Sequence, residues 1–193
     1  MAIKDIEIAI QVQVEKSAGL LDFLNENGEF KGEKRQVDEY FTPSHRDFLA
    51  VRPAKEWLRL RDSNGKFSVN YKNWYCDTHG KSHHCDEFES VIEDLEKMRK
   101  IFLALDIKPT VKVDKTRKIW VFRDYEIAID AVVGLGDYVE IEYLGEQDGK
   151  DAKAITDEMI KFLKDIDCGK IKRNYVGYPF ALLFPDKVEY EII

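Results

Sequence analysis

Apolar and polar residues alternate along most of the chain, and this alternation predicts strands. The segments DIEIAIQVQV and YVEIEYL show the pattern clearly. Because a strand turns successive side chains to opposite faces, each such segment has one apolar face and one polar face. The other strand-like segments are RQVDEYFTP, WLRLRD, KFSVNYKNWY, CDEFESVI, TVKVDKTRKIWVF and YEIAIDAVV. WLRLRD and KFSVNYKNWY are separated by SNG, which predicts a β-hairpin with its turn at Gly65.

Three other segments have the spacing of amphipathic helices. SAGLLDFLNENG predicts a helix that stops at Gly28. Its apolar stripe consists of Leu20, Leu21, Phe23 and Leu24. EDLEKMRKIFLALD and DAKAITDEMIKFLKDI predict two more helices. The aromatic segment RNYVGYPFALLF predicts a lid or a short helix that packs against the remaining elements.

The order of these elements predicts an α+β protein with an antiparallel sheet. About eight strands and three helices follow one another, mostly in hairpin order. Eight antiparallel strands can close into a barrel whose interior holds side chains and one small ligand. No linker rich in Pro, Gly or Ser interrupts the chain, so residues 1–193 are predicted to form a single domain.

Charged residues spaced two apart recur on the predicted strands. The pairs are Arg59/Arg61, Glu87/Glu89, Lys115/Arg117 and Glu140/Glu142. Residues two apart in a strand share a face, so one face of the sheet would carry guanidinium, ammonium and carboxylate groups together. A single pair of this kind is typical of the solvated face of a sheet, whereas the inside of a closed barrel is another place that could hold such a charged face. Basic groups suit phosphate, and carboxylates suit a divalent cation.

Composition and charge narrow the class of protein. Hydrophobic residues make up 44% and charged residues 35% of 193 residues, as in a soluble globular protein. No apolar stretch is long enough to span a membrane, and the N-terminal residues do not have the pattern of a signal peptide, so we expect a cytoplasmic protein without a membrane partner. The net charge of −7 disfavours nucleic acid as a partner.

Cysteine and histidine residues form a second candidate site. Three cysteines, Cys76, Cys85 and Cys168, do not make a disulfide framework. Four potential zinc ligands could converge in one short loop, among Cys76, His79, His83, His84 and Cys85. Their spacing matches no zinc module, and a polar hairpin loop with incidental histidines is the favoured interpretation.

The ordered segments of this chain resemble the CYTH superfamily. That family is named for a class IV adenylyl cyclase and thiamine triphosphatase, and its members are also called triphosphate tunnel metalloenzymes. The matching segments are QVDEYF, WLRLR, NYK, DEFES, KVDKTR, IDAVVGLGDYVEIE and RNYVGYPFALL. The resemblance implies an eight-stranded antiparallel closed β-barrel with flanking helices, the triphosphate tunnel. It also implies Mg²⁺ or Mn²⁺ as the cofactor.

The resemblance also implies roles for individual residues. Triphosphate binding is expected of the basic residues Arg59, Arg61, Lys72, Lys112, Lys115, Arg117 and Arg173. Metal binding is expected of the acidic residues Glu7, Glu89, Asp130, Glu140 and Glu142, with Glu87 beside Glu89. Catalysis is expected of Glu7, Glu140 and Glu142.

The first strand departs from the family motif, which reads E-x-E-x-K. One register aligns Asp5, Glu7 and Ala9 with the motif, and the other aligns Glu7, Ala9 and Gln11. We favour the second register because it places QVQV where the strand continues. Either register retains Glu7 and lacks the lysine, and a glutamine can donate a hydrogen bond but supplies no charge.

The predicted function is metal-dependent hydrolysis of an inorganic or organic triphosphate, such as tripolyphosphate, a nucleoside triphosphate or thiamine triphosphate. Two alternatives stay open. The first is an adenylyl cyclase that makes cyclic AMP from ATP. The second, favoured by Ala9 and Gln11, is a non-catalytic triphosphate-binding or nucleotide-binding protein. The expected partner is a triphosphate-containing small molecule, and the expected state is a monomer or a homodimer.

Overall fold

The computed structural model describes residues 6–146 and 149–193, and eight long antiparallel strands of these residues form a closed barrel. The strands are β1 Ile6–Val14, β2 Glu29–Pro43, β3 Glu56–Ser63, β4 Lys66–Cys76, β5 Ser82–Ile92, β6 Ile107–Phe122, β7 Tyr125–Val132 and β8 Gly136–Tyr143. Their order around the barrel is β1-β5-β4-β3-β2-β6-β7-β8, and β8 returns to β1. The predicted eight-stranded antiparallel barrel is therefore confirmed.

The first strand closes the barrel by pairing on both of its edges. Glu7 is opposite Cys85 of β5, and Gln11 is opposite Glu140 of β8. The last residues of β1 pair instead with β9 (Ile171–Arg173), and β9 pairs with β10 (Glu191–Ile192). Two short C-terminal strands that the residue pattern did not predict thus extend the sheet on the outer side of the barrel.

The hairpin between β3 and β4 has the predicted turn. Ser63 is opposite Lys66, which leaves Asn64 and Gly65 as the two turn residues. Both have positive φ, 51° at Asn64 and 81° at Gly65. Two residues of positive φ define a type I′ turn, whose twist matches that of the paired strands, and Asn-Gly is its preferred sequence.

The main apolar core lies outside the barrel, between its outer surface and two helices. In β1 the residues Ile8, Ile10 and Val12 face outward and pack in this core, while the residues between them face the interior. The helices are α1 (Ser17–Asn27), which contributes Leu20 and Leu24, and α3 (Ala152–Asp165). Burying apolar side chains on this side leaves the inner face free to carry charge.

The helix α3 shows why this core forms. Ile155, Met159 and Leu163 are spaced four residues apart and are buried, so one stripe of the helix faces the barrel. Asp151 caps the helix by accepting a hydrogen bond from the backbone N–H of Lys153 at 3.1 Å. No helix in the described part of the chain is both long and apolar enough to cross a membrane.

Two further helices cover other parts of the barrel. The helix α2 (Leu95–Ala104) is capped by Asp94 and packs against β3 and β6. The C-terminal aromatic segment forms the short helix α4 (Gly177–Leu183), as predicted. Within it, Tyr178 packs edge-on against Tyr138 at 5.0 Å between ring centroids. Because Tyr178 also borders the interior of the barrel, α4 forms part of the wall of the central cavity.

Candidate active site inside the barrel

A cavity of about 310 Å³ lies inside the barrel and is lined mainly by polar side chains. The period-two alternation of the strands turns these residues inward, as in Glu7, Ala9 and Gln11 of β1. The charged residues that line the cavity are Glu7, Lys34, Asp38, Arg59, Arg61, Lys72, Glu87, Glu89, Lys115, Arg117, Glu126, Glu140, Glu142 and Arg173. Basic and acidic groups therefore share one enclosed volume.

One group of cations is organised by Asp38 of β2. Arg61 donates two hydrogen bonds to this carboxylate, from Nε at 2.6 Å and from Nη2 at 2.7 Å, and Arg59 Nη1 lies 3.4 Å from Oδ2. Burial would raise the pKa of Asp38, but the adjacent Arg59 and Arg61 charges outweigh it and hold this pKa well below its usual range. The ionised carboxylate fixes both guanidinium groups in place.

A second group of cations is organised by Asp130 of β7. Its carboxylate accepts hydrogen bonds from Lys115 Nζ at 2.9 Å, from Arg117 Nε and Nη2 at 2.7 and 2.6 Å, and from Tyr178 OH at 2.9 Å. Arg117 also lies 2.8 Å from Glu140. Burial, followed by the nearby Arg117 charge, lowers the pKa of Lys115 to about 8.

Carboxylates predominate on another part of the cavity wall, around Lys72. Lys72 Nζ forms an ion pair with Glu7 and lies 3.4 Å from Glu87. The backbone positions that follow Glu7 on the inner face, Ala9 and Gln11, carry no charge. Lys72 of β4 therefore brings an ammonium group to Glu7 of β1 inside the barrel, past the intervening strand β5.

The acidic residues differ in how easily they ionise. Burial raises the pKa of Glu7 well above its ordinary value despite the charge of Lys72. Burial also raises the pKa of Glu142, to about 7, with Glu140, Glu126 and Glu87 acting in the same direction. At Glu140, burial also raises the pKa, but the charge of Arg117 lowers it by more, so the pKa of Glu140 lies below its ordinary value. Glu142 is therefore poised to exchange a proton near neutral pH.

We expect Glu142→Gln to change how stability depends on pH. Between the ordinary pKa of 4.5 and about 7, the folded carboxyl stays protonated whereas the unfolded one is ionised. The stability contributed by this group is therefore fully present at low pH and is lost as the pH rises through about 7. Urea unfolding at about pH 5 and about pH 8 should show that the wild type loses roughly 1–3 kcal/mol more than Glu142→Gln. Equal losses would contradict the raised pKa, since the other titrating groups are common to both proteins.

The residues predicted from the sequence fall into two classes. Most of them border the cavity: Glu7, Arg59, Arg61, Lys72, Glu89, Lys115, Arg117, Glu140, Glu142 and Arg173. Lys112 does not, because the inward residues of β6 are Val113, Lys115 and Arg117, and Lys112 is exposed on the outer face. The predicted phosphate contact of Lys112 is therefore corrected.

Asp130 requires a second correction. Its side chain is fully buried behind the cations and does not border the cavity. Both carboxylate oxygens are already engaged by Lys115, Arg117 and Tyr178. We therefore assign Asp130 to positioning these groups rather than to binding a metal. In the first strand, the structure turns Glu7, Ala9 and Gln11 inward, whereas Asp5 of the alternative register lies outside the described residues.

Several cavity residues were missed when only the charged pairs were considered. They are Lys34, Gln36, Asp38, Asn70 and Glu126. A signal for one of them was present, because Asp38 lies within QVDEYF and is the cross-strand neighbour of Arg61. That pairing register depends on how β2 meets β3, so the carboxylate could not be matched to its arginine from spacing alone.

The acidic residues of the cavity match the ligands that a divalent cation requires. Hard cations prefer carboxylate oxygens, and Glu7, Glu87, Glu89, Glu140 and Glu142 supply them within one cavity. Burial raises the pKa of Glu7 and of Glu142 more than the Lys72 charge lowers it, and a bound cation would favour the ionised form of both groups. The chemistry fits, although within residues 6–146 and 149–193 no three His, Cys, Asp or Glu side chains are already arranged to hold an ion.

The cysteine and histidine residues between Cys76 and Cys85 contact different parts of the structure. The structure buries Cys85 in β5, and His83 contacts Thr156 of α3 through Nδ1 at 2.8 Å. His84 instead stacks on Tyr75 at 5.1 Å between ring centroids. In the described part of the chain these side chains are thus not collected into a zinc-binding group.

Comparison with known proteins gives consistent similarities. The sequence profile described as CYTH domain matches residues 4–175. A protein of Methanocaldococcus jannaschii named putative adenylate cyclase is 35% identical over 175 residues, which cover 89% of this chain and 97% of that protein.

Solved structures show the same architecture. A Pyrococcus horikoshii protein has a TM-score of 0.73 and 25% identity, over 93% of this chain and 99% of that one. A Hippeastrum protein described as a putative adenylyl cyclase with a dominant triphosphatase activity has a TM-score of 0.63 and 19% identity, over 95% of this chain and 97% of that one. At that identity the second similarity shows the fold alone.

Proposed function

The chain belongs to the CYTH domain family, and from this premise we propose that it hydrolyses a triphosphate inside the barrel with the help of Mg²⁺ or Mn²⁺. Members of this family bind triphosphate substrates and are typically metal-dependent. The observation that carries the proposal is the composition of one cavity, in which two sets of fixed cations share a volume with an acidic wall. Such an arrangement suits an anion that arrives with a divalent cation.

The basic residues would bind the phosphate chain. Arg59 and Arg61 are held at 3.4 and 2.6 Å from Asp38, so their guanidinium groups lose little further freedom when they bind phosphate oxygens. Lys115 and Arg117 are held in the same way by Asp130. Phosphoryl transfer depends mainly on positioning and on electrostatic stabilisation, which these residues would supply.

The carboxylates that line the cavity would bind the metal and accept a proton. We propose Glu7, Glu89 and Glu140 as the residues that hold the divalent cation, which leaves the Glu142 carboxylate free for the proton. When bound, that cation supplies charge neutralisation of the phosphate oxygens and polarisation of water. Among the predicted catalytic residues, Glu142 is the proposed proton acceptor because its pKa of about 7 is suited to neutral pH. Glu140 forms an ion pair with Arg117 at 2.8 Å and would also help to position the Arg117 guanidinium group.

Two alternatives have specific support. An adenylyl cyclase activity is favoured by the name of the 35% identical Methanocaldococcus jannaschii protein. A non-catalytic binder is favoured by the uncharged inner positions of β1, Ala9 and Gln11. Lys72 weakens the second alternative, because its ammonium group contacts Glu7 and provides a charge beside the first strand.

A single panel of assays separates these possibilities. Tripolyphosphate, thiamine triphosphate and ATP are each incubated with the purified protein and Mg²⁺ or Mn²⁺, and phosphate release and nucleotide products are measured. We expect phosphate release that EDTA abolishes, with ADP and no cyclic AMP from ATP. Cyclic AMP and pyrophosphate would select the cyclase. Binding by calorimetry without turnover of any of the three compounds would select the binder.

A further inference from the structure

A second cleft, of about 450 Å³, lies on the outer side of the barrel beside α3, β9 and β10. Five basic side chains and two carboxylates line it, although the whole chain has a net charge of −7. Both carboxylates are already engaged. Glu191 is paired with Lys81 at 2.5 Å, and Asp157 is paired with Lys153 at 2.5 Å. The remaining side-chain charge of the cleft is therefore positive, which favours an anion.

Arg173 is the most unusual of these cations because it is buried without a counter-ion. Its exposed fraction is only 3%, and within residues 6–146 and 149–193 no carboxylate lies at ion-pair distance from it. Its contacts are a 3.5 Å hydrogen bond to the carbonyl of Ser82 and the ring of Tyr175 at 4.4 Å. Glu191 and Asp157 act on Arg173 only from beyond ion-pair distance, and a buried charge without a direct counter-ion is costly unless an anion binds to it. Lys164, which also lines the cleft, likewise lacks a carboxylate partner in the described part of the chain.

His83 contributes a buried acceptor to the same cleft. The hydroxyl of Thr156 donates its one hydrogen to the carbonyl of Lys153 at 3.0 Å. When that hydroxyl donates to Lys153, the same oxygen, which lies 2.8 Å from His83 Nδ1, accepts a hydrogen from Nδ1. Burial and the Arg173 charge lower the pKa of the His83 ring, which favours the neutral form. Nε2 then carries a lone pair, and it is buried without a hydrogen-bond partner among the described residues.

These two unsatisfied groups require a ligand with both negative oxygens and an O–H donor. We propose that the outer cleft is a binding site for an inorganic phosphate ion that retains a proton. Its ionised oxygens would accept hydrogen bonds from Arg173 and Lys164, and its P–OH group would donate to His83 Nε2. Sulfate has a similar size but carries no proton near neutral pH, so it cannot satisfy His83. The site shares Arg173 with the cavity inside the barrel but does not depend on the proposed triphosphatase activity.

The test uses the His83 ring as a reporter, because this residue does not border the tunnel cavity. The full chain, labelled with ¹⁵N, is titrated with phosphate and separately with sulfate at constant ionic strength, and the imidazole nitrogens are followed by NMR. The free protein should show the Nδ1–H tautomer. Phosphate should shift the His83 resonances saturably, with an affinity at least about tenfold higher than that of sulfate. Equal responses to both ions, or no response to phosphate, would overturn the proposal.

A pair of lysine variants locates the bound ion. Lys164→Met removes a cation from the cleft, whereas Lys118→Met removes an exposed lysine of β6 that pairs with Glu33 elsewhere. Lys164→Met should weaken the phosphate response of His83 by roughly threefold or more, and Lys118→Met should leave it unchanged. Arg173 is not substituted, because it borders both cavities and its loss would not show which of the two binds phosphate. Equal phosphate affinities of the two variants would place the ion outside the cleft and reject the site.

Discussion

Arg59→Ala should lower kcat/KM for tripolyphosphate by about 10²–10³-fold, since a charged donor aimed at phosphate oxygens acts in an enclosed site. Arg59 is the informative choice among the arginines of β3. Asp38 keeps both short hydrogen bonds from Arg61 when Arg59 is removed, so the barrel should remain folded. Steady-state phosphate release measures the effect on turnover, and calorimetry measures the affinity for tripolyphosphate.

The control for this variant is Arg35→Ala. Arg35 is also an arginine of the sheet that forms a two-bond ion pair with an aspartate, at 2.9 and 2.6 Å from Asp114. It lies on the outer face, however, and does not border the cavity. Its loss should change kcat/KM by less than about twofold, as expected for an exposed pair. If Arg59→Ala behaved like Arg35→Ala in both assays, the cavity would not be the triphosphate site.

The second large effect concerns stability. Asp130→Asn should lower the free energy of unfolding of the ligand-free protein by about 3–5 kcal/mol, because it leaves buried cations without their counter-ion. Asp130 is fully buried and accepts hydrogen bonds from Lys115, Arg117 and Tyr178. An uncharged amide cannot compensate both cations, and its NH₂ group would face other donors. Urea unfolding with a linear extrapolation measures the loss.

Two comparisons test the reason for that loss. Asp114→Asn removes an aspartate from an exposed pair with Arg35 and should cost no more than about 1 kcal/mol. Added tripolyphosphate should restore part of the stability of Asp130→Asn, because a ligand that binds the folded state supplies negative charge to Lys115 and Arg117. A cost for Asp130→Asn as small as that for Asp114→Asn would show that this buried network contributes little.

The buried ion pairs suggest how an empty tunnel of this kind stays folded. The cations around the cavity would repel one another, and Asp38 and Asp130 compensate them. At Glu7 and Glu142, in contrast, burial outweighs the charge of Lys72 and raises the pKa of both carboxyl groups. A site for a polyphosphate with a divalent metal requires both features, fixed cations for the phosphate oxygens and carboxylates that a metal ion can stabilise.

Much of the site was predictable because it follows the period of a strand. Arg59 and Arg61, and likewise Glu140 and Glu142, were expected to share a face, and each pair does border the cavity. The error at Lys112 has the same origin, since it is an odd number of residues from Lys115 and so points to the opposite face. Asp130 has the inward parity, but the cations and Tyr178 cover it, and coverage of that kind is not visible in a strand pattern.

The residue pattern was sufficient to predict the eight strands of the barrel, the main helices, the side chains that share a face and the family resemblance, but not the short strands β9 and β10. These properties are local, since they depend on the alternation of side chains and on the order of short segments. The tertiary structure alone decided which face is the inside, because closure depends on β1 meeting both β5 and β8. It also decided which charges compensate each other. Lys72 contacts Glu7, 65 positions away in the chain, because barrel curvature brings β4 and β1 together on either side of β5.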